Sequence, residues 1–533
     1  MGIPSYFSYI VKNHPEILER FINGSIPIHN LYMDCNSVIY DSFYNLTEEQ
    51  LNGNIAKILI ENAVKKITQY ITTISPEEKV IISFDGVAPV AKLEQQRSRR
   101  FKSWFQSSVS NKIFDKLPGK WSTTAITPGT SFMKQLNKEI TQHFSTTKIP
   151  NIQAKIIVST SDDVGEGEHK IFKHIREDSS HKDKHTVIYG LDADLIMLSI
   201  NHLPLCKNIF LFRETPEFIK SIDSSLEPND HYLFHISLLA TNIVLDMQQA
   251  TRFSDTDKNN RLHDYIFLCF LLGNDFLPHF PALNIRTGGI DKLLQHYKET
   301  IGTKQQFLIK NGNIQWKYFN KLLSSLSNSE HAYIVKENNM RNGREKNYEE
   351  GKLVTTESKY DRFQSIPCFE RMTEKHINPN KEYWQDRYYK ALFNCEPTSE
   401  RIKQICINYL EGLEWTYKYY TEDCPDWRWK YKYNYPPLLS DLVKHTPYFE
   451  TQFIKPNTNK PVDQKVQLCY VLPRHNLSLL PYKLYNHLLN NYSEYYPENA
   501  DFEWSYCRYF WESHVLLPDI CIDTLEKTIN IVK

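Results

Sequence analysis

The stretch His185-Thr186-Val187-Ile188-Tyr189-Gly190-Leu191-Asp192-Ala193-Asp194-Leu195 decides the architecture. An apolar run of strand length stops at a glycine, two carboxylates follow at i and i+2, and a helical pattern begins at Asp194. Upstream, the apolar run Ala154–Thr160 leads in the same way into Gly165-Glu166-Gly167-Glu168-His169-Lys170. Four carboxylates thus fall within the 29 residues from Glu166 to Asp194, each pair where a strand hands over to a helix. Carboxylates gathered like this repel: two bare charges about 4 Å apart cost about 4 kcal/mol at an effective dielectric of about 20. A cation between them removes that cost. Hard oxygen ligands that leave room for water and phosphate suit Mg²⁺ or Mn²⁺, and such a centre suits phosphodiester chemistry.

Working outward, the same alternation runs from residue 29 to about residue 215. Apolar runs at His29–Asp34, Lys79–Asp85, Ala154–Thr160, His185–Gly190 and Asn208–Arg213 read as buried strands. Helical periodicity separates them at Ser37–Asn45, Ile55–Ile74, Ala91–Phe105, Ser131–Phe144, Glu166–Arg176 and Asp194–Asn201. Short strands alternating with helices predict an α/β fold with a mostly parallel central sheet flanked by helices. Ligands of such sheets bind outside the carboxyl ends of the strands. Asp34, Asp85 and Asp192 each close an apolar run, and Glu166 follows one by a short loop. A buried helix at Asp264–Gly273 leads into Gly273-Asn274-Asp275-Phe276-Leu277-Pro278 and adds Asp275. An aspartate after a strand is most often a helix N-cap. Seven acids at matching positions (Asp34, Asp85, Glu166, Glu168, Asp192, Asp194, Asp275) point instead to metal ligands, since two cations need that many oxygens.

The remaining composition bounds the answer. The chain has 533 residues, enough for two to four domains, and 63 basic residues balance 63 acidic ones. Any nucleic-acid surface is therefore local. Ten cysteines are scattered without a Cys-x-x-Cys, which predicts a reducing intracellular compartment, the cytoplasm ahead of the nucleus. The apolar run Tyr265–Gly273 is too short to span a membrane. Residues 337–376 are charged and weakly periodic and read as a linker or surface insertion. They divide a first region, 1–336, from a second, 377–533, that is rich in Tyr and Trp and reads as mainly helical and packed on the first.

Two further motifs bear on chemistry. On the helix Ala91–Phe105, Lys92, Gln96, Arg99 and Arg100 stand at i, i+4, i+7 and i+8 and share one face. Most charged helix faces are merely solvated, but this one begins seven residues after Asp85. Fork-donor cations beside a metal cluster suit a terminal phosphate. Trp415, Trp427, Trp429, Tyr431, Tyr433 and Tyr435 form a dense aromatic series. Core packing accounts for most of them, and one or two are left for base stacking.

With these residues in view, the chain resembles the XRN family of 5′→3′ exoribonucleases. The matching segments are Met1–Phe7, Leu31–Ser37, Phe84–Pro89, Gln95–Phe101, Ile126–Thr130, Gly165–Lys170, Leu191–Asp194 and Gly273–Pro278. In the second region they are Tyr383–Lys390, Glu411–Trp415, Pro425–Pro437, Val471–Pro473 and Val515–Pro518. The resemblance implies a nuclease core like that of PIN and flap nucleases. It implies two Mg²⁺ ions on the seven acids, with Mn²⁺ able to substitute, and a 5′-monophosphate pocket of Lys92, Gln96, Arg99 and Arg100. It further implies a substrate-stacking Trp, for which Trp415, Trp427 and Trp429 are candidates. The expected activity is processive 5′→3′ degradation of single-stranded, 5′-monophosphorylated RNA to nucleoside 5′-monophosphates, as in messenger decay, by a monomer.

The chain departs from the family at three places. Tyr40 stands where members place a base-stacking His, which keeps an aromatic face and loses the imidazole. Ser161-Asp162-Asp163-Val164 is more acidic than the pattern. The match stops near Val515–Pro518, which reads as a minimal core without the long C-terminal extension. Two other functions share parts of this pattern. A structure-specific DNA flap endonuclease shares the acidic crevice, but Phe276-Leu277-Pro278-His279-Phe280-Pro281 replaces its Gly-Ile-Gly-type hairpin after the last Asp. A catalytically silent RNA-binding scaffold fits poorly with seven acids and four pocket residues all retained.

Overall fold

A computed structural model of the chain describes residues 2–531, apart from 118, 120, 215–219, 221–223, 225, 229, 249–253, 305, 350–355 and 456. Met1 of the first matching segment lies outside the described residues. Seven strands form the central sheet: β1 (Leu18–Arg20), β2 (Asn30–Asp34), β3 (Lys79–Ser83), β4 (Lys155–Ser159), β5 (His185–Tyr189), β6 (Asn208–Glu214) and β7 (His231–His235). Their order is β1-β7-β6-β5-β2-β3-β4. The run from β6 to β4 is parallel throughout, and β7 and β1 add an antiparallel edge. The expected parallel α/β sheet is therefore present, with an antiparallel extension that the alternation did not reveal.

The strand sequences explain why both faces are covered. Leu31 and Met33, Val80 and Ile82, and Val187 and Tyr189 point to one side, where they pack with helices Asn36–Tyr44, Ile55–Ile74 and Ser131–Thr146. Tyr32, Ile81 and Ile188 point to the other and join helices Gly167–Glu177, Asp194–His202 and Asp255–Cys269. Side chains alternate along a strand, so a strand apolar at every position must be buried twice. The chain passes from β2 to β3 and β4 on one side, then returns to β5 on the other flank of β2. The carboxyl ends of β2 and β5 therefore border the switch-point crevice.

The second region is helical, including Trp384–Phe393, Ser399–Thr421, Leu439–His445 and Gln464–Val471. Its largest helix, Ser399–Thr421, shares the core of the sheet's second face. Much of residues 337–376, expected as a linker or surface insertion, is helical. Helices Trp316–Glu349 and Thr356–Gln364 occupy much of the segment, followed by Ile366–Phe369 and Met372–Ile377. Arg341 bonds Glu374 at 2.6 and 2.8 Å, Arg371 bonds Glu374 at 2.7 Å, and Arg371 lies 3.3 Å from Glu345. Arg341, Arg371 and Glu374 are each at most 3% exposed. Apolar periodicity is weak here because the buried face is held by paired charges. No helix among the described residues is long and apolar enough to cross a membrane.

Candidate active site

All seven predicted acids come to the carboxyl edge of β2, β3 and β5. Asp34 ends β2, and Asp85 lies two residues beyond β3. Glu166 is the N-cap of helix Gly167–Glu177, and Glu168 sits in its first turn. Asp194 opens helix Asp194–His202. Acids suit these places because helix N-termini carry partial positive charge and unpaired N–H groups. The Gly167 N–H donates to Asp85 Oδ1 at 2.7 Å, and Asn36 Nδ2 donates to Asp85 Oδ2 at 2.6 Å. The Gly167 backbone runs so close that a Cβ there would stand 2.5 Å from Asp34 Oδ1. A glycine between Glu166 and Glu168 is thus what lets two helix-borne carboxylates meet two strand-borne ones.

Asp34, Asp85 and Glu168 form one close group, and Asp192, Asp194 and Asp275 lie beside it in electrostatic contact with one another. Ligand atoms of Asp34, Asp85 and Glu168 lie within 4.8 Å of one another. Asp192 Oδ1 accepts the Asp194 N–H at 3.1 Å, and both Asp192 and Asp275 raise the Asp194 pKa by repulsion. Lys92 lies between the groups: its Nζ is 2.5 Å from Glu166 Oε2 and 2.7 Å from Asp275 Oδ2. Burial works against the Lys92 charge, but Asp275 and Glu166 outweigh it and hold the amine firmly protonated. The carboxyls show how crowded the crevice is. Burial, then Asp85 and Asp192, push Asp34 well up. Burial, then Glu166 and Asp34, do the same to Glu168. Burial and Asp192 lift Asp194 to about 8.

One oxygen in each group is buried and accepts no hydrogen bond: Asp34 Oδ1 and Asp194 Oδ1. A buried acceptor left without a donor costs about 1–3 kcal/mol. An all-oxygen set with one orphan in each group fits hard divalent cations.

The basic helix extends to Val90–Phe114 and begins beside Asp85. Lys92, Gln96 and Arg100 are buried and Arg99 is half-buried. Arg100 Nη1 donates to Gln96 Oε1 at 3.1 Å, and Nη2 donates to Thr127 Oγ1 at 2.8 Å. Both partners are neutral, and burial lowers the Arg100 pKa only to about 10, so the guanidinium stays charged. The other face of this helix is structural. Arg97 donates to the carbonyls of Pro518 and Tyr495 at 2.7 and 3.0 Å, and Lys102 donates to those of Trp511 and Ser513 at 2.8 and 2.6 Å.

The aromatic candidates separate by burial. Trp415 is 0% exposed, its Nε1–H donates to the Asp426 carbonyl at 2.8 Å, and it stacks between Tyr419 and Trp429 at 4.9 and 5.2 Å. Trp429 is buried too, and donates to Glu411 at 3.3 Å. The Trp415 ring is enclosed by Tyr419 and Trp429, and Trp429 stacks on Trp415, so burial favours a core role for both over substrate stacking. Trp427 is half-buried, and its carbonyl accepts the Val90 N–H at 3.0 Å at the start of the basic helix. Tyr40 is half-buried on helix Asn36–Tyr44, with its hydroxyl in electrostatic reach of Arg100.

Several residues at the site carried no sequence signal. The Tyr419 hydroxyl donates to Glu166 Oε1 at 2.8 Å, across 253 positions of sequence. Tyr420 lies in electrostatic contact with Asp194, and the His169 ring stacks on Tyr419 at 3.8 Å. Asn36 and His169 stand inside the matched segments Leu31–Ser37 and Gly165–Lys170, whereas Tyr419 and Tyr420 lie outside all of them. The more acidic Ser161–Val164 segment is pinned outside the ligand groups: Gln464 Nε2 donates to the Ser161 carbonyl at 2.7 Å, and Ser159 Oγ donates to Asp163 Oδ2 at 2.8 Å.

The family model described as the XRN 5′-3′ exonuclease N-terminus matches residues 1–215. The one described as the Xrn1 helical domain matches residues 255–382 and 373–533, so the second match starts well inside the region assigned to the nuclease core from sequence pattern. The chain is 28% identical over 658 residues to 5′-3′ exoribonuclease 1 of Saccharomyces cerevisiae, covering 97% of this chain and 42% of that one. It is 25% identical over 675 residues to 5′-3′ exoribonuclease 2 of Arabidopsis thaliana, covering 97% and 66%. It is 27% identical over 595 residues to the human 5′-3′ exoribonuclease 1, covering 98% and 33%. The chain thus spans less than half the length of these two exoribonuclease 1 proteins.

Proposed function

Because the chain belongs to the XRN family of 5′-3′ exonucleases, we propose that it is a processive 5′→3′ exoribonuclease acting on single-stranded RNA with a 5′-monophosphate. Asp34, Asp85 and Glu168 would hold one Mg²⁺, and Asp192, Asp194 and Asp275 would hold a second, with Glu166 between. When bound, the ions supply activation of water and neutralisation of charge on the leaving oxygen. The 5′-phosphate docks on Lys92, Gln96, Arg99 and Arg100. Arg100 and Gln96 orient it, and Lys92 sets its distance from the carboxylates. The first internucleotide phosphate then lies at the crevice, and a nucleoside 5′-monophosphate leaves. The shortened strand keeps a new 5′-phosphate and recreates the end the pocket binds, which is the source of processivity. A pocket sized for one phosphate rejects capped and triphosphate ends by bulk and uncompensated charge. Tyr40 and Trp427 stack on bases, so sequence preference is weak.

The observation that carries this reading is Lys92. Its ammonium belongs at once to the basic helix face and to the acidic crevice, through Glu166 and Asp275. One residue therefore sets the reach between a bound 5′-phosphate and the reacting bond. The test compares 5′-monophosphate, 5′-triphosphate, capped and DNA substrates with Mg²⁺, following product size. Mononucleotides released from 5′-monophosphate RNA alone are expected. Cleavage within the strand, or equal use of 5′-hydroxyl ends, overturns the reading.

A further inference from the structure

At the far end of helix Gly167–Glu177, away from the carboxylate crevice, two imidazoles and a carboxylate gather. The ligand atoms of His174, Asp178 and His181 lie within 4.8 Å of one another. Their protonation states follow from their partners. His181 Nδ1 stands 2.6 Å from the Asp178 carbonyl, which can only accept, so the proton is on Nδ1. His181 Nε2 is then a lone pair, and it receives the Tyr32 hydroxyl at 2.5 Å. His174 Nε2 stands 3.1 Å from Lys79 Nζ, an ammonium that can only donate, so it too is a lone pair. Asp178 Oδ2 accepts from the same ammonium at 2.7 Å. Burial and Lys79 lower the His174 pKa, and burial lowers that of His181, so both rings are neutral at physiological pH. The Asp178 carboxyl is held far below its ordinary range, first by Lys79 and then by Ser180.

We propose that His174, Asp178 and His181 form a binding site for a first-row divalent transition ion, zinc foremost. Two neutral imidazoles and a carboxylate with a fourth, water position make a three-ligand zinc set. The Nδ1–H to carbonyl bond of His181 is the outer contact that fixes a metal-binding tautomer. Lys79 occupies the ion's place as a cation, and its side chain is 20% exposed, which gives it a way out to solvent. Bonds of about 2.0–2.1 Å place tetrahedral ligands about 3.4 Å apart, and His174 Nε2 stands 4.0 Å from Asp178 Oδ2. Rotation of the partly exposed His174 and Asp178 closes that difference. Binding displaces the Lys79 ammonium from His174 and Asp178 and the Tyr32 hydroxyl from His181 Nε2, and it releases no proton, since neither imidazole carries an extra one. Mg²⁺ does not compete, because two of three ligands are nitrogen. The ion ties the last turn of helix Gly167–Glu177 to the turn Ser179–His181 that follows it, a helix length of about 16 Å from the acids at its first turn. The site is separate from the proposed nuclease centre and does not depend on it.

Calorimetric Zn²⁺ titration of the full chain in saturating Mg²⁺, which fills the carboxylate crevice, tests this. Co²⁺ absorption in the visible reports tetrahedral ligation. One Zn²⁺ equivalent is expected, lost in Asp178→Asn and in His174→Gln. In Lys79→Met it is expected to bind about fivefold tighter, as removal of one competing ion pair implies. His174 and Asp178 are each 30% exposed, so these variants keep the fold, and circular dichroism checks it. Zinc binding that survives either ligand substitution, binding that Lys79→Met fails to tighten, or no binding at all overturns the assignment.

Discussion

Arg100 is a guanidinium buried with two neutral partners, and Asp34 and Asp194 each present a buried oxygen with no donor. Groups like these are costly unless a ligand completes them. Arg100→Ala is therefore expected to erode the preference for 5′-monophosphate over 5′-hydroxyl RNA, read as a ratio of kcat/KM values. An unchanged ratio removes Arg100 from the pocket. Asp192→Ala with Asp194→Ala should abolish turnover, and the Mg²⁺-induced rise in Tm should shrink with it. The aromatic candidates divide at the same scale. Trp415→Ala should cost about 3–5 kcal/mol of stability, the cost of emptying a packed aromatic site, measured by urea unfolding. Trp427→Ala should leave stability nearly unchanged and slow degradation. Similar unfolding midpoints for the two variants would mean that Trp415 is not the packed core residue described above.

At the scale of elements, each strand end delivers its acid because the next element starts at once. The sheet also has a lateral network whose charge is readable by pH. Glu214, at the end of β6, accepts from Lys66 Nζ at 2.5 Å and from the Tyr70 hydroxyl at 2.6 Å, both on helix Ile55–Ile74. Burial alone would push the Glu214 carboxyl up, but His231, Lys66 and Tyr70 outweigh it and bring it from 4.5 to about 2. A depressed carboxyl pKa stabilises the fold above the ordinary carboxyl range, and that contribution is lost as pH falls through the folded value. The Tm gap between the wild type and Glu214→Gln should therefore be steady above about pH 5 and narrow towards pH 2. A gap that does not change with pH shows that Glu214 acts by packing and not by charge. Tyr419→Phe tests the link between elements. Losing its bond to Glu166 should weaken Mg²⁺ binding while leaving the fold intact, seen as a smaller Mg²⁺-induced Tm rise.

Across the whole molecule, the helical region supports the sheet from behind the crevice. Helix Ser399–Thr421 sends Tyr419 to Glu166, while Arg97, reaching to Pro518 and Tyr495, ties the basic helix to the last hundred residues. The Arg341–Glu374–Arg371 cluster holds the segment between the regions. Breaking a buried pair by removing one partner is costly because the other charge stays buried. Arg341→Ala should therefore destabilise the protein by about 3–5 kcal/mol, measured by urea unfolding. A change below 1 kcal/mol would restore the view of residues 337–376 as an unconstrained surface insertion.

What the sequence determined by itself was local. Continuous apolar runs followed by carboxylates marked β2, β3, β4 and β5 and placed six of the seven acids, because a parallel strand buried on both faces is apolar at successive positions and its loop follows it. The i, i+4, i+7, i+8 spacing put Lys92, Gln96, Arg99 and Arg100 on one face because helix geometry is fixed within two turns. Other features needed the tertiary structure. The antiparallel edge β7–β1 pairs residues more than two hundred positions apart. Tyr419 finds Glu166 across a similar gap. The charged stretch around Arg341 and Glu374 is buried only because its charges meet one another, which no periodicity records. Burial also divided Trp415 and Trp429 from Trp427, since the same ring serves as core or as platform according to what packs against its faces.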